Sequence, residues 1–171
     1  MDAVPAVATE VVAMLVERRL TLATAESLTG GGVGALVTSV PGSSAAYVGG
    51  VVAYASRLKV ELLEVPDDVV ERFGVVSARC ARAMAAGVRG VVGADMGLST
   101  TGVAGPDPQE GKPAGLVYVA VADDTGEEVR ELRLDGDRAA VRRATAQAAM
   151  ELLRDRMEES SGGMLGGGGS V

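Results

Sequence analysis

"LTLATAESLTGGGVGALVTSV", residues 20–40, joins a strand pattern to a glycine-rich segment of helical length through Ser27. Residues 20–25 have the pattern of a short buried strand. Residues 29–40 have the length of a helix but contain four glycines, each costing about 1 kcal/mol relative to alanine in a helix interior. The composition therefore indicates a strand, a loop at Ser27, and a helix start that requires small residues.

The rest of the chain continues this alternation of helices and strands. The turn "DDTG" predicts an antiparallel hairpin between the strands at 116–122 and 127–134. Further strands are predicted within 45–55 and 94–104, and helices at 6–18, 56–63, 67–73, 77–92 (with Ser77 as N-cap) and 137–157. This order predicts an α/β domain with a mixed, mostly parallel sheet, at residues 1–158, and a disordered glycine-rich tail at 159–171.

Composition narrows the classes of function. The net charge of −7 argues against a nucleic-acid partner, because phosphate backbones are bound mainly by dense Lys and Arg. The single cysteine, Cys80, excludes an intrachain disulfide and lies in an Ala-rich helical pattern typical of a core position. Neither a signal peptide nor a membrane span is indicated, so we expect a cytoplasmic protein without a membrane partner.

Ser27 has two interpretations. It caps a helix beside glycines that only allow close packing, or it is a nucleophile beside backbone N–H groups that stabilise an oxyanion. The chain has no histidine, so an activated serine needs lysine, tyrosine or a carboxylate as its base. Lys59 and Lys112 are the two lysines among sixteen basic residues, and burial can lower the pKa of lysine towards neutrality.

Lys59 follows the rare aromatic residue Tyr54 by five positions. A strand end and the first turn of the next helix could present both side chains to one cleft. The alternative is a solvated helix lysine and a core tyrosine.

Five motifs in order, "TAESLTGG", "GGVVAYASRLK", "STTGVAGP", "KPAGLVYVA" and "GDRAAVRR", resemble those of the CinA C-terminal domain family, the nicotinamide-nucleotide amidases. The resemblance covers about residues 5–157. It implies a three-layer α/β/α domain, commonly a homodimer, which hydrolyses the carboxamide of nicotinamide mononucleotide to nicotinate mononucleotide and ammonia. The resemblance implies no metal or cofactor, and its partner is the small nucleotide substrate.

The resemblance also assigns site residues. Ser27 corresponds to the family's serine, which we expect to attack the amide, and Lys59 and Tyr54 correspond to the lysine and tyrosine that we expect to move the proton. We expect amides near Gly30 and Gly31 to stabilise the oxyanion. The remaining expected substrate-binding residues are Glu26, Thr29, Tyr47, Thr101, Gly102, Ala104, Gly105, Arg138 and Arg142, and Lys112 is expected at the edge of the pocket.

The sequence departs from the family's usual pattern at Leu28, at Ala55 and Ser56, and over residues 107–111. The last two departures border the expected pocket and bear on the substrate. For Arg138 and Arg142 the alternative role is a solvated helix face. A second interpretation of the whole chain is a nucleotide-sensing module that keeps the pocket without turnover.

Overall fold

A five-stranded mixed sheet forms the centre of the computed structural model, which describes residues 3–162. The strands are β1 (Leu22–Glu26), β2 (Tyr47–Val52), β3 (Met96–Gly102), β4 (Leu116–Asp123) and β5 (Gly126–Arg133). The helices are α1 (Ala6–Arg18), α2 (Gly32–Thr38), α3 (Ser56–Glu61), α4 (Asp67–Phe73), α5 (Ala78–Val92) and α6 (Arg138–Gly162), with a 3₁₀ turn at Ser43–Ala45.

The strand order is β2-β1-β3-β4-β5. β1 lies between β2 and β3 and is parallel to both, and β4 is antiparallel to β3 and to β5. Four strands therefore run in one direction and β4 alone runs in the other. This confirms the mixed, mostly parallel sheet and the predicted hairpin.

Helices cover both faces of the sheet, because successive side chains of a strand point to opposite sides. Leu22 packs on one side in a core with residues of α1, α2 and α6. Ala23 and Ala25 pack on the other side against α5, with apolar residues of α3 and α4 completing that layer. The α/β/α arrangement confirms the predicted three-layer fold.

Several local predictions are confirmed and others need correction. Ser77 caps α5 by accepting a hydrogen bond from the Cys80 amide, and Cys80 is fully buried. The helix after Ser27 begins only at Gly32, because Gly30 and Gly31 have φ values of 59° and 101°, which are not helical.

The last helix continues past the predicted boundary into the segment expected to be disordered. It reaches Gly162, and the hydroxyls of Ser160 and Ser161 donate to carbonyls one turn back. The rest of the predicted tail, residues 163–171, lies outside the described residues. No helix within residues 3–162 combines the length and apolar character needed to cross a bilayer.

Candidate active site

A serine and a buried lysine meet at the carboxyl end of the parallel strands. Nζ of Lys59 lies 3.0 Å from Oγ of Ser27, within hydrogen-bond distance. Lys59 is only 1% exposed, and Ser27 is half-buried. The arrangement provides a hydroxyl and an amine that can exchange a proton directly.

The fold explains why these two residues meet. Ser27 follows β1 directly, and its amide donates to the carbonyl of Thr100 on β3, which continues the parallel pairing by one residue. β2 lies beside β1 and is followed by α3, which carries Lys59 on the same side of the sheet as Ala23 and Ala25. Strand alternation places Ser27 on that side too.

The environment of Lys59 favours an uncharged amine. Burial lowers the pKa of Lys59 below its ordinary value of 10.5, although the nearby Cys80 and Glu110 partly oppose this effect. Nζ also donates to the carbonyl of Ala53, 2.7 Å away. This backbone acceptor fixes the amine against Ser27, and no sequence signal could have identified it, because every residue has a carbonyl.

The loop after Ser27 contains free backbone donors at one of the two expected positions, Gly31, but not at Gly30. The Gly30 amide donates to the Ser27 carbonyl at 3.1 Å and closes a tight turn, so it is already used. Within residues 3–162, the amides of Leu28, Thr29 and Gly31 have no hydrogen-bond acceptor. The amides of Leu28 and Thr29 are therefore better candidates than that of Gly30 to stabilise an oxyanion beside Ser27.

Glu26, Thr29 and Tyr47 were expected to bind substrate, and the structure gives them internal partners. Glu26 is 2% exposed and accepts from the Thr29 hydroxyl at 2.6 Å and from two amides of α2. Tyr47 shares a 2.6 Å hydrogen bond with the Thr24 hydroxyl. Burial and the charge of Glu26 raise the pKa of Tyr47, while its hydrogen bond to Thr24 opposes this. None of the three side chains lines the cleft described below.

Arg142, like Arg138, was expected to bind the substrate. Its guanidinium instead donates to the carbonyls of Leu28 and Thr29, both at 3.1 Å. These contacts connect α6 to the loop after Ser27. The sequence suggested a basic residue near the site, but the direction of a long side chain depends on the packing of α6 and could not be predicted from the motif.

A cleft of about 400 Å3 begins at Leu28, the residue after Ser27. Its size lies in the usual range of about 300–1,000 Å3 for small-molecule sites. Arg138 donates to the Gly105 carbonyl at 2.7 Å and to the Tyr54 hydroxyl at 2.9 Å, so it joins two walls of the cleft. The lining residues are Leu28, Tyr54, Gly102, Val103, Ala104, Gly105, Pro106, Asp107, Pro108, Gln109 and Arg138.

Tyr54 and Thr101 differ from their expected roles. Tyr54 is 59% exposed, and within the described residues it makes no hydrogen bond to Ser27 or Lys59. It therefore forms part of the cleft wall rather than a contact of the serine–lysine pair. Thr101 is buried, and its hydroxyl donates to the Val75 carbonyl. Thr101 therefore holds the segment between α4 and α5 and does not face the cleft.

A latch formed by Glu110 and Lys112, which the motifs did not reveal, fixes the outer part of the cleft. The Glu110 carboxylate accepts from the amides of Val75 and Val76, and Lys112 donates to carbonyls of Phe73 and Val76. The amide contacts and Lys112 lower the pKa of Glu110, although its partial burial acts against them. Lys112 is thus a structural residue of the loop, and it does not line the cleft.

A larger cavity, of about 710 Å3, lies between α2, α6 and the segment before α1. Its walls are mainly small apolar side chains, with Thr29 and Arg142 among the few polar ones. Neither this cavity nor the smaller cleft is lined by Ser27 or Lys59 themselves. Within residues 3–162, no group of three or more His, Cys, Asp or Glu side chains is arranged to hold a metal ion. The smaller cleft is the candidate active site, because it is lined by Leu28, the residue after Ser27, and by the polar side chains of Tyr54 and Arg138.

Fold and site together define a three-layer α/β domain with a serine–lysine pair at the carboxyl edge of its sheet. Residues 5–157 match the CinA C-terminal domain. The chain is 48% identical over 144 residues to a CinA-like protein of Frankia casuarinae, covering 84% of this chain and 33% of that protein. It spans about a third of the length of the curated relatives it matches.

Solved structures agree with this match. A CinA superfamily protein from Klebsiella pneumoniae superposes with a TM-score of 0.87 at 32% identity, over 90% of this chain and 96% of that one. A competence/damage inducible protein from Agrobacterium tumefaciens gives a TM-score of 0.82 at 33% identity, over 91% and 98% of the two chains. The chain belongs to the CinA C-terminal domain family.

Proposed function

We propose that this chain is an amidohydrolase that converts nicotinamide mononucleotide to nicotinate mononucleotide and ammonia. The observation that carries the proposal is the 3.0 Å contact between Oγ of Ser27 and Nζ of the buried Lys59. A serine needs an adjacent base to attack an amide, and this lysine is in hydrogen-bond contact with it. The substrate comes from the family resemblance of the motifs.

The neutral form of Lys59 suits the role of base. A neutral amine has two N–H groups and one lone pair. In the structure Nζ donates to the Ala53 carbonyl and to Oγ of Ser27, 3.0 Å away. A neutral amine can turn its lone pair to Oγ across the same contact and accept the Ser27 proton while it still donates to Ala53. Burial favours this form because a charged ammonium loses more hydration than a neutral amine does.

The reaction proceeds in two stages. Ser27 Oγ attacks the carboxamide carbon as its proton passes to Lys59, and the amides of Leu28 and Thr29 stabilise the oxyanion that forms. Lys59 returns the proton to the amide nitrogen, the C–N bond breaks, and ammonia leaves. Water then attacks the ester on Ser27 with Lys59 again as base, and this step releases the carboxylate and restores the serine.

The cleft beside Ser27 holds the rest of the nucleotide. Arg138 supplies the positive charge for the phosphate, and the exposed ring of Tyr54 offers a surface for the ribose or the pyridine ring. Tyr54 thereby acts in binding, whereas its expected part in proton transfer has no supporting contact.

Ammonia release from nicotinamide mononucleotide tests the proposal, with free nicotinamide as the comparison substrate. We expect release from the nucleotide at much higher kcat/KM, because the phosphate and ribose orient the amide. Equal efficiency on both compounds would contradict the nucleotide site. Binding of the nucleotide without ammonia would instead support the nucleotide-sensing module.

A further inference from the structure

Glu26 precedes Ser27 directly, and its side chain lies on the opposite side of the sheet. It is a buried carboxylate with three donors. Oε1 accepts from the Thr29 hydroxyl at 2.6 Å and from the Val33 amide at 2.7 Å, and Oε2 accepts from the Gly34 amide at 3.0 Å. No other acidic side chain within residues 3–162 is as completely buried.

These donors lie at the middle and the far end of the loop that begins at Ser27. Thr29 belongs to the loop, and Val33 and Gly34 belong to the first turn of α2, which has no side-chain cap from Gly31. Glu26 therefore connects the end of β1 to the start of α2 across the loop. Its carboxylate satisfies amides that the helix itself leaves without partners.

The loop backbone has little rigidity of its own. Gly30 and Gly31 both have positive φ, a region that glycine enters and leaves without steric cost. The Thr29 hydroxyl, which donates to Glu26, also lies 2.8 Å from the Thr100 hydroxyl on β3. Glu26 and Thr100 together hold the Thr29 side chain in place. The backbone amide of Thr29 is one of the amides near Ser27 that have no hydrogen-bond acceptor within residues 3–162.

We propose that Glu26 is a positioning residue: it holds the loop so that Ser27 Oγ and the amides of Leu28 and Thr29 keep the geometry needed for attack. The inference rests on the proposed function in taking Ser27 as the nucleophile. A glutamine at this position cannot replace the carboxylate, because its NH₂ group would face an N–H donor where an acceptor is needed.

Two readouts test the role of Glu26 in the full chain. In Glu26→Gln we expect kcat for nicotinamide mononucleotide to fall by about 10- to 100-fold, as for a small misplacement of reacting groups, with KM changed by less than about threefold. The rate at which a fluorophosphonate probe modifies Ser27, followed by mass spectrometry, should fall by a similar factor. Glu127→Gln, an exposed site on β5, is the matched control and should behave as wild type.

The probe separates this inference from the proposed substrate. Slower labelling of Ser27 in Glu26→Gln, in a protein that releases no ammonia from the nucleotide, supports the role of Glu26 and contradicts the substrate. Labelling and turnover of Glu26→Gln at wild-type rates would overturn the role of Glu26. A wild-type protein that the probe does not label at Ser27 would contradict both.

Thr29→Val keeps the inference testable if Glu26→Gln does not fold. Valine keeps the shape of threonine and removes one of the three donors to Glu26. We expect kcat and the labelling rate to fall by about tenfold with KM retained, since the loop loses one of its attachments. A Thr29→Val protein with wild-type kcat and labelling rate would also overturn the proposal.

Discussion

Lys59 and Glu26 are the two charged side chains that are almost completely buried within residues 3–162, and they lie on either side of the segment that carries Ser27. Burial of a charged group is unfavourable unless hydrogen bonds or a change of protonation compensate for it. Glu26 accepts three hydrogen bonds, whereas Lys59 donates two and also has a lowered pKa. The burial of Glu26 and that of Lys59 are therefore compensated differently. This difference is expected if Glu26 holds the loop and Lys59 accepts a proton.

Lys59→Arg tests the base. Arginine has most of the length of lysine, but it stays charged because it does not lose its proton near neutral pH. We expect kcat to fall by about 100- to 10,000-fold, with little change in KM. Steady-state ammonia release measures both constants. Lys112→Arg is the companion variant. It disturbs only the contacts of the latch formed by Glu110 and Lys112, so it should change KM at most. A loss of kcat in Lys112→Arg as large as that in Lys59→Arg would show that the base is misassigned.

The pH dependence of kcat follows from the lowered pKa of Lys59. The reactive form is the neutral amine, which is populated above its pKa, so kcat should rise with pH and level off below the ordinary lysine value of 10.5. A pH–rate profile that extends up to about pH 10 measures this rise. A kcat that falls as the pH increases over this range would mean that Lys59 does not act as a base.

The sequence predicted which residues form the site better than it predicted where their side chains point. The lack of histidine and the scarcity of lysine identified Ser27 and Lys59 as a pair to look for, and the structure brings them together. Arg142 and Thr101 point at backbone carbonyls instead of the cleft, because the packing of α6 and β3 sets their direction. No residue pattern encodes such contacts.

At the scale of elements, α5 packs closely against its neighbours through glycine. A Cβ added at Gly87 would collide with the Leu63 carbonyl, whereas one added at Gly90 would meet nothing within 4 Å. Both positions lie in the same helix. The two glycines therefore form a matched pair that separates helix propensity from packing.

We expect Gly90→Ala to raise the free energy of unfolding by up to about 1 kcal/mol through helix propensity. Gly87→Ala gains the same propensity but forces α5 away from Leu63, so we expect a net loss of about 1–3 kcal/mol. Urea unfolding of both variants measures the difference. Equal effects at the two sites would contradict the close approach of α5.

Asp123 connects the β4–β5 hairpin to α6. Its carboxylate accepts from Arg156 at 2.8 and 3.0 Å, and these hydrogen bonds, with those from Thr125, hold the pKa of Asp123 well below 3.8 against the effect of partial burial. Protonation therefore favours the unfolded state. The stabilisation is complete above pH 3.8 and disappears as the pH falls below that value.

Asp123→Asn should lower the free energy of unfolding at neutral pH by about 1.5–3 kcal/mol, the usual contribution of hydrogen bonds to a charged group. It should also reduce the loss of stability in acid. Thermal unfolding at several pH values measures both effects, with the exposed neighbour in Asp124→Asn as control. An Asp123→Asn protein as stable as that control would contradict the role of the ion pair.

Most of the helices and strands could be predicted from the sequence. Helical spacing predicted α1 with its observed bounds, and turn residues predicted the hairpin. The start of α2 and the end of α6 were placed wrongly, for opposite reasons. The positive φ of Gly30 and Gly31 delays α2, whereas α6 continues through Ser160 and Ser161, whose hydroxyls donate to carbonyls of the preceding turn.

At the scale of the whole molecule, the three-layer fold brings distant segments to one edge of the sheet. β1 supplies the serine loop, α3 the lysine, the segment after β3 one cleft wall, and α6 the arginine that joins the walls. The sequence indicated this convergence because ligands of such sheets bind beyond the carboxyl ends of the strands. We expect amide hydrolysis to take place at this edge of the sheet.

The most direct test is ammonia release from nicotinamide mononucleotide by wild type and Ser27→Ala, with nucleotide binding measured by calorimetry on both proteins. We expect Ser27→Ala to bind the nucleotide nearly as tightly as wild type and its kcat to fall by about a thousandfold or more, as for the loss of a catalytic nucleophile. Retention by Ser27→Ala of more than a few per cent of wild-type turnover would contradict the assignment of Ser27 as the nucleophile.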